Sequence, residues 1–222
     1  MVGEARARRL FLMEAMWSRF YPAFFTLREL LAAGAIGEVR MLTADLGFRS
    51  NFNPQGRLFD LALGGGALLD VGVYPVSLAS HILGKPSGVL SKAHLGETGV
   101  DEQAGIMLSY PQGQIALLHT AIRTTTLHEA TLMGTEGLIR LELDWRKPDR
   151  ITLIRPGREP ETISCPIEGN AHHNAMRRRR WVSICARGGI KSPIMPLDET
   201  IEVMETLDAI RGQWGLRYPN EC

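Results

Sequence analysis

The chain has 222 residues, and its 25 Lys and Arg side chains nearly balance 24 Asp and Glu. A net charge of +1 excludes a broad electrostatic attraction to nucleic acid or to an anionic membrane surface. Hydrophobic residues make up 45% of the chain and charged residues 22%, a mixture that excludes wholesale disorder and supplies one sizeable core.

The first elements predicted are a short helix, a strand and a longer helix. Residues 2–9 are rich in Ala and Arg and read as a helix tail, and the apolar run Leu10–Met13 is long enough for one buried strand. Apolar side chains at spacings of four, three and four predict a helix over Phe20–Ala33, with Pro22 in its first turn. A strand over Glu38–Arg49 follows.

The rest of the chain predicts one sheet and three more helices. A loop over Ser50–Leu63 and three consecutive glycines precede a helix from about Ala67 to Leu83, and the last two helices cover Asn170–Arg187 and Asp198–Gln213. The remaining strands are predicted at Val89–Leu95, Glu102–Tyr110, Gln114–Arg123, Leu127–Gly134, Leu138–Leu143, Ile151–Arg155 and Thr162–Cys165. Their short hairpin connections imply antiparallel pairing. The predicted class is α+β, a large open, mainly antiparallel sheet with helices on one face.

The expectations for cellular compartment and for metal binding depend on features that the sequence lacks. Three cysteines are too few for a disulfide framework, and the six histidines form no zinc-like array, so no metal is expected. No apolar run reaches the roughly 20 residues of a membrane span. The N-terminus lacks the apolar core and cleavage site of a signal peptide, so a cytoplasmic protein is expected.

The most informative segment is LALGGGALLDVGVYP, residues 61–75. Glycines before a helix let a ligand approach the backbone, and the helix N-terminus favours an anion or a polar oxygen there. Asp70 and Tyr74, four residues apart, would share a helix face, and a carboxylate beside a phenol is a plausible proton-transfer pair. The alternative is that Asp70 pairs locally and that Tyr74 is a half-buried core residue.

Two other segments carry polar groups that could reach a ligand. Trp17 and Arg19 would lie after the first predicted strand, where ligand crevices form, or they would plug a domain junction. His172, His173 and the run Arg177–Arg180 make a basic stretch, which is more typical of a solvated, ion-paired helix face than of a phosphate site. The chain contains no Gly-x-Gly-x-x-Gly after a strand and no Walker loop, so we expect no complete dinucleotide site within it.

Three runs resemble the Gfo/Idh/MocA oxidoreductase family, and within it the branch of dihydrodiol and D-xylose dehydrogenases. They are EAMWSRFYPAFFTLRELLAAGAIGEVR, GGGALLDVGVYPVSLASHILG and IKSPIMPLDETIEVMETLDAIR. The resemblance extends over essentially the whole chain. It implies an enzyme whose N-terminal Rossmann domain binds NADP or NAD and whose C-terminal α+β domain receives a sugar or diol and often forms a homodimer through its open sheet.

The resemblance also implies roles for individual residues. Tyr74 would be the catalytic acid/base and Asp70 its support. Trp17 and Arg19 would face the nicotinamide end of the cofactor, and Phe48 would wall the substrate pocket.

Two features of the family are missing from these residues, the glycine fingerprint and the Glu-Lys-Pro motif. The sequence therefore predicts that residues 1–13 are the remnant of a dinucleotide-binding domain, that residues 14–222 form the C-terminal domain, and that the chain is inactive alone and binds NAD(P) weakly. The alternative is a non-catalytic dimerisation or scaffold domain. A third possibility is a nicotinamide-independent lyase or isomerase that uses Asp70 and Tyr74.

Overall fold

The computed structural model describes residues 1–167, 190–219 and 221. Its helices are α1 (Val2–Ala7), α2 (Pro22–Ala32), α3 (Val73–Leu83) and α4 (Leu197–Gly212), with 3-10 turns at Trp17–Phe20 and Leu61–Leu63 and a π-helical turn at Leu68–Gly72. Its strands are β1 (Val39–Gly47), β2 (Gly88–Leu95), β3 (Asp101–Ser109), β4 (Ile115–Ala121), β5 (Ala130–Gly134), β6 (Leu138–Leu141), β7 (Arg150–Ile154) and β8 (Glu161–Ser164).

The strands form one eight-stranded sheet in the order β2-β3-β4-β1-β5-β6-β7-β8. Every neighbouring pair is antiparallel except β1 and β4, where Thr43 lies opposite Leu117 in parallel register. The parallel pair arises because α3 carries the chain from β1 to the sheet edge, and two hairpins then bring it back to β1. The mainly antiparallel sheet predicted from the hairpins is confirmed.

Helices α2, α3 and α4 cover one face of the sheet, as predicted. Inward-facing Leu42, Ala44 and Leu46 on β1 are at most 2% exposed, whereas Met41 and Thr43 point to the opposite face. The helices contact β1, β4, β2 and β7. Each fully buried Leu or Ile stabilises this core by roughly 1.5–3 kcal/mol.

The strand predicted at Leu10–Met13 is wrong. These residues carry no ladder hydrogen bonds, and Leu10 is 56% exposed. An apolar run becomes a strand only where a neighbouring strand pairs with it, and none of the described strands lies beside this one. The short helix before it is confirmed as α1, and its origin in a cofactor domain stays a prediction.

Several predicted boundaries also shift for local reasons. The strand predicted to Leu143 ends at Leu141, because Leu143 adopts φ +34° and its side chain is 82% exposed. The strand predicted from Leu127 begins at Ala130, after His128 at φ +57°. Helix α4 starts at Leu197, so Asp198 lies in its first turn and is not the N-cap. The predicted helix Asn170–Arg187, with the histidine pair and the Arg177–Arg180 run, lies outside the described residues.

Within the part of the chain that the structure describes, one helical stretch is apolar enough to cross a membrane by length and composition. It runs from Leu61 to Leu83 with a mean hydropathy of 1.5, which corrects the expectation that no segment reaches that length. About half of it, 56%, is buried within the molecule, where α3 packs on β1 and β4. Packing against the sheet thus accounts for its apolar side chains.

Candidate active site

The three glycines before α3 form a packed corner, not an open ligand loop. The amides of Gly64, Gly65 and Gly66 donate to the carbonyl oxygens of Leu61, Asp60 and Leu58 at 3.2, 3.0 and 2.9 Å. A Cβ on Gly65 would lie 2.8 Å from the Leu58 carbonyl oxygen, so only glycine fits there. These amides are therefore already used within the chain.

The helix N-terminus beyond this corner faces an internal carboxylate. Asp101, at the start of β3, is fully buried, and its Oδ2 accepts a 2.6 Å hydrogen bond from the Leu68 amide. Burial raises the pKa of Asp101 to about 7, although the amide of Leu68 acts to lower it. The position at this helix N-terminus where the sequence suggested a ligand oxygen is thus taken by the carboxyl group of Asp101.

Tyr74 lies one residue into α3, directly after the π-helical turn, and is half-buried. Its hydroxyl oxygen accepts a 3.0 Å hydrogen bond from the Nε1 of Trp17, and the two rings meet edge to face with centroids 5.8 Å apart. An indole N–H can only donate. The phenol proton of Tyr74 is therefore not used in the bond to Trp17.

Asp70 is the fourth residue before Tyr74, but its partner is elsewhere. Its Oδ1 accepts a 2.5 Å ion-paired hydrogen bond from Nη1 of Arg57, and no hydrogen bond to Tyr74 is described. The described contacts thus give Asp70 a partner other than Tyr74, and the supporting role of Asp70 stays a prediction.

Phe48 follows the last residue of β1 and lies on the same small apolar cluster as Tyr74. The buried members of this cluster are Leu46, Phe59, Ala67, Val71 and Ile122, and Phe48 and Tyr74 both pack against them. Phe48 and Tyr74 thus share one apolar cluster, and the role of Phe48 at a substrate pocket stays a prediction.

Arg19 does not join Trp17 at this wall. Its side chain is 2% exposed, and its Nη2 lies 2.7 Å from Oε1 of Glu199 on α4. The same nitrogen donates to the carbonyl and hydroxyl oxygens of Ser77 on α3, at 2.7 and 2.8 Å. These contacts tie α4 and α3 to the turn that carries Trp17. The role of Arg19 towards a cofactor stays a prediction, and the contacts described are structural.

Sequence reasoning missed one cation in this site, Arg146. Its guanidinium carbon lies 5.5 Å from the ring centroid of Tyr74 and 5.8 Å from that of Trp17. Asp144 accepts the hydrogen bonds that Arg146 donates. Asp144 also acts on a third aromatic side chain, Tyr21, whose pKa is raised first by burial and then by the charge of Asp144. Arg146 is 72 positions from Tyr74 in the chain, so no local pattern could have indicated the contact.

Comparison with known proteins places this geometry in a family. A sequence profile described as the GFO/IDH/MocA C-terminal domain matches residues 24–140, more than half of the chain. The trans-1,2-dihydrobenzene-1,2-diol dehydrogenase of Mus musculus is 34% identical over all of this chain and 67% of its own length. The chain belongs to the GFO/IDH/MocA family.

One more relative and two solved structures extend the comparison. D-xylose 1-dehydrogenase (NADP(+)) of Hypocrea jecorina is 32% identical over 99% of this chain and 63% of its own length. A 3-ketoreductase from Actinomadura kijaniata, solved with NADP and TDP-benzene, superposes with a TM-score of 0.80 at 23% identity, over 94% of this chain and 64% of that one. An aldose-aldose oxidoreductase from Caulobacter crescentus gives 0.83 at 21% identity, over 97% and 65%. The two structures show the shared fold, and the chain spans about two thirds of each relative.

Proposed function

We propose that this chain is the substrate-binding and proton-transfer half of an NAD(P)-dependent dehydrogenase that acts on a secondary alcohol of a sugar or a trans-dihydrodiol. The observation that carries the proposal is the hydrogen bond from Trp17 to Tyr74, in which the phenol accepts and its own proton is not used. The names of the relatives supply the substrate class, since two of them are a dihydrodiol dehydrogenase and a D-xylose dehydrogenase.

The described residues suit the nicotinamide end of a dinucleotide and not its phosphates. Trp17 and Tyr74 offer aromatic surface beside a proton-transfer group. The glycine amides are used internally, and the carboxylate of Asp101 faces the helix N-terminus, so a phosphate there would meet a negative charge whenever Asp101 is ionised. The phosphates therefore require a cofactor domain of the kind found at the N-terminus of family members.

The proposed chemistry is a hydride and proton transfer. A bound nicotinamide would exchange a hydride with the alcohol carbon. In the reduction direction Tyr74 would donate its phenol proton to the carbonyl oxygen, and in the oxidation direction the phenolate formed by that donation would take the hydroxyl proton back. Trp17 orients the phenol oxygen by donating to it, and Phe48 excludes water on one side. The cytoplasmic location predicted from the sequence stays a prediction.

The test is a chimera in which the cofactor domain of the mouse relative precedes this chain. We expect NADP-dependent oxidation of a trans-dihydrodiol or D-xylose by the chimera, and its loss in Tyr74→Phe. Calorimetry on the 222-residue chain alone should show no micromolar NADPH binding. A folded chimera that binds NADP but has no turnover with either substrate supports the scaffold alternative instead.

The open face of the sheet supports a homodimer. Five apolar side chains lie opposite one another across β4, β1, β5, β6 and β7: Ile115, Met41, Met133, Leu138 and Ile154. Next to this row, Leu90 and Leu117 are 63% and 41% exposed. A contiguous apolar row on a sheet face that none of the described helices covers is typical of a subunit interface. We propose a second copy of this chain as the occupant.

A further inference from the structure

Arg146 contacts the two aromatic side chains that define the proposed site. Its guanidinium carbon is 5.5 Å from the Tyr74 ring centroid and 5.8 Å from that of Trp17, and these two rings are themselves joined edge to face. A guanidinium at this distance from a ring face is attracted by the negative π surface. One cation therefore attracts both partners of the Trp17–Tyr74 hydrogen bond.

The guanidinium is itself held in orientation by Asp144. Nε of Arg146 donates to Oδ1 of Asp144 at 2.8 Å, and Nη2 donates to Oδ2 at 3.2 Å. This two-point contact uses the planar fork that lysine lacks. The Arg146 and Asp144 side chains are 22% and 18% exposed, so the pair is shielded from much of the solvent.

The backbone that presents this pair is strained and anchored. Leu143 and Asp144 adopt φ of +34° and +59°, which non-glycine residues rarely do. The next residue, Trp145, is 1% exposed, and its Nε1 donates to the carbonyl oxygen of Asp45 at 2.7 Å. The Trp145 amide also donates to the carbonyl oxygen of His128. Such strain persists where surrounding contacts enforce it, as happens at functional sites.

We infer that Arg146 is a positioning residue for Tyr74, oriented by Asp144 and acting on the phenol through the Trp17–Tyr74 ring pair. The catalytic part of this inference rests on the proposed function of Tyr74. A phenol that transfers a proton must keep its hydroxyl within hydrogen-bond reach of the substrate oxygen. Loss of the guanidinium removes a neighbour that limits rotation of the phenol ring. The expected effect is a lower kcat, with little change in KM.

The first experiment needs no enzymatic activity. Near-ultraviolet circular dichroism of the wild-type chain, Trp17→Phe, Tyr74→Phe and the double variant gives a double difference that isolates the signal of the Trp17–Tyr74 pair from that of the Trp17–Tyr21 contact. The same cycle is measured with each Arg146 variant. Arg146→Gln should reduce this signal by at least half, and Arg146→Lys should restore part of it. The matched control is Arg150→Gln, which removes an exposed arginine paired with Asp149 on the sheet. An Arg146→Gln spectrum identical to wild type overturns the inference.

The second experiment measures turnover in the chimera with the cofactor domain. Arg146→Gln should lower kcat roughly 10-fold with KM within about twofold, and Arg146→Lys should recover part of the loss. A rise in KM with unchanged kcat contradicts positioning, because it assigns Arg146 to substrate binding. If the wild-type chimera is inactive, the proposed function fails, and the dichroism result alone decides whether Arg146 orders the ring pair.

Discussion

The indole Nε1 of Trp17 donates a 3.0 Å hydrogen bond to the hydroxyl of Tyr74 and joins two segments that are 57 residues apart in the chain. The bond connects the turn before α2 to the first turn of α3. Because the indole can only donate, its proton is used in this bond, and the phenol proton of Tyr74 is the one left for transfer.

Trp17→Phe tests the contribution of this bond. It keeps an aromatic ring and removes the donor, so we expect the free energy of unfolding to fall by about 1 kcal/mol and turnover in the chimera to fall roughly 10-fold. Urea denaturation and steady-state kinetics measure the two effects. Trp214→Phe is the matched control, because Nε1 of Trp214 is buried without a described partner and the change removes no hydrogen bond. If Trp17→Phe and Trp214→Phe lower stability and turnover equally, the smaller ring and not the lost Trp17–Tyr74 hydrogen bond is the cause.

Arg19 and Glu199 form the most buried ion pair described here, 2.7 Å apart. Arg19→Met leaves Glu199 without its cation and should lower the free energy of unfolding by about 3–5 kcal/mol. The exposed Lys85–Glu205 pair is the comparison, and Lys85→Met should cause no measurable change. Chemical denaturation of both variants provides the measurement. A small effect of Arg19→Met would mean that water reaches the site and solvates Glu199.

The pKa of Asp101 predicts a stability that falls with rising pH. Burial raises this pKa from 3.8 to about 7, so between these values the folded state holds a proton that the unfolded state has lost. The unfolding free energy contributed by this group is fully present below about pH 4 and is lost by pH 7, on the order of 4 kcal/mol in total. Asp101→Asn should remove this contribution to the pH dependence and leave the opposite contribution of His81. Denaturation midpoints measured from pH 4 to pH 8 provide the test. The prediction is contradicted if the midpoint changes with pH by the same amount in the variant and in the wild type.

His81 should act in the opposite direction over nearly the same window. Burial first, and then the charges of Arg19 and Arg28, lower its pKa from 6.5 to about 4. The folded state therefore binds fewer protons, so the stability from this group is present above pH 6.5 and is lost as the pH falls towards 4. His81→Asn should stabilise the chain at pH 5 relative to pH 7, compared with wild type. Because Asp101 and His81 oppose each other, each single variant should have a more pH-dependent stability than the wild type.

Met41 lies in the middle of the apolar row on the open face, between Ile115 and Met133. Met41→Lys places a charge at the centre of the proposed interface and should weaken dimerisation at least 100-fold, to a monomer at micromolar concentration. Sedimentation velocity measures the change. Leu143→Lys, at a position 82% exposed and outside the row, should leave the dimer intact. A wild-type chain that is monomeric at the highest concentration tested contradicts the interface.

Local patterns in the sequence were sufficient to predict most of the sheet. Alternating apolar residues and turn signals such as Pro111-Gln112-Gly113 predicted its hairpins, and Gly113 indeed adopts φ +85°. They also placed Tyr74 on a helix, and the resemblance supplied its proposed role. Periodicity failed at Leu10–Met13, because pairing depends on a neighbouring strand and not on the apolar run itself.

The tertiary structure decided what surrounds Tyr74. Arg57 pairs with Asp70, and Asp101 from β3 lies at the helix N-terminus that the glycines suggested for a ligand. The corner after β6 brought Arg146 to the ring pair. Backbone periodicity and turn chemistry act over a few residues, so the sequence by itself determined the elements and the phenol. The partners of that phenol come from segments far apart in the chain, and only the packing of helices on the sheet brings them together.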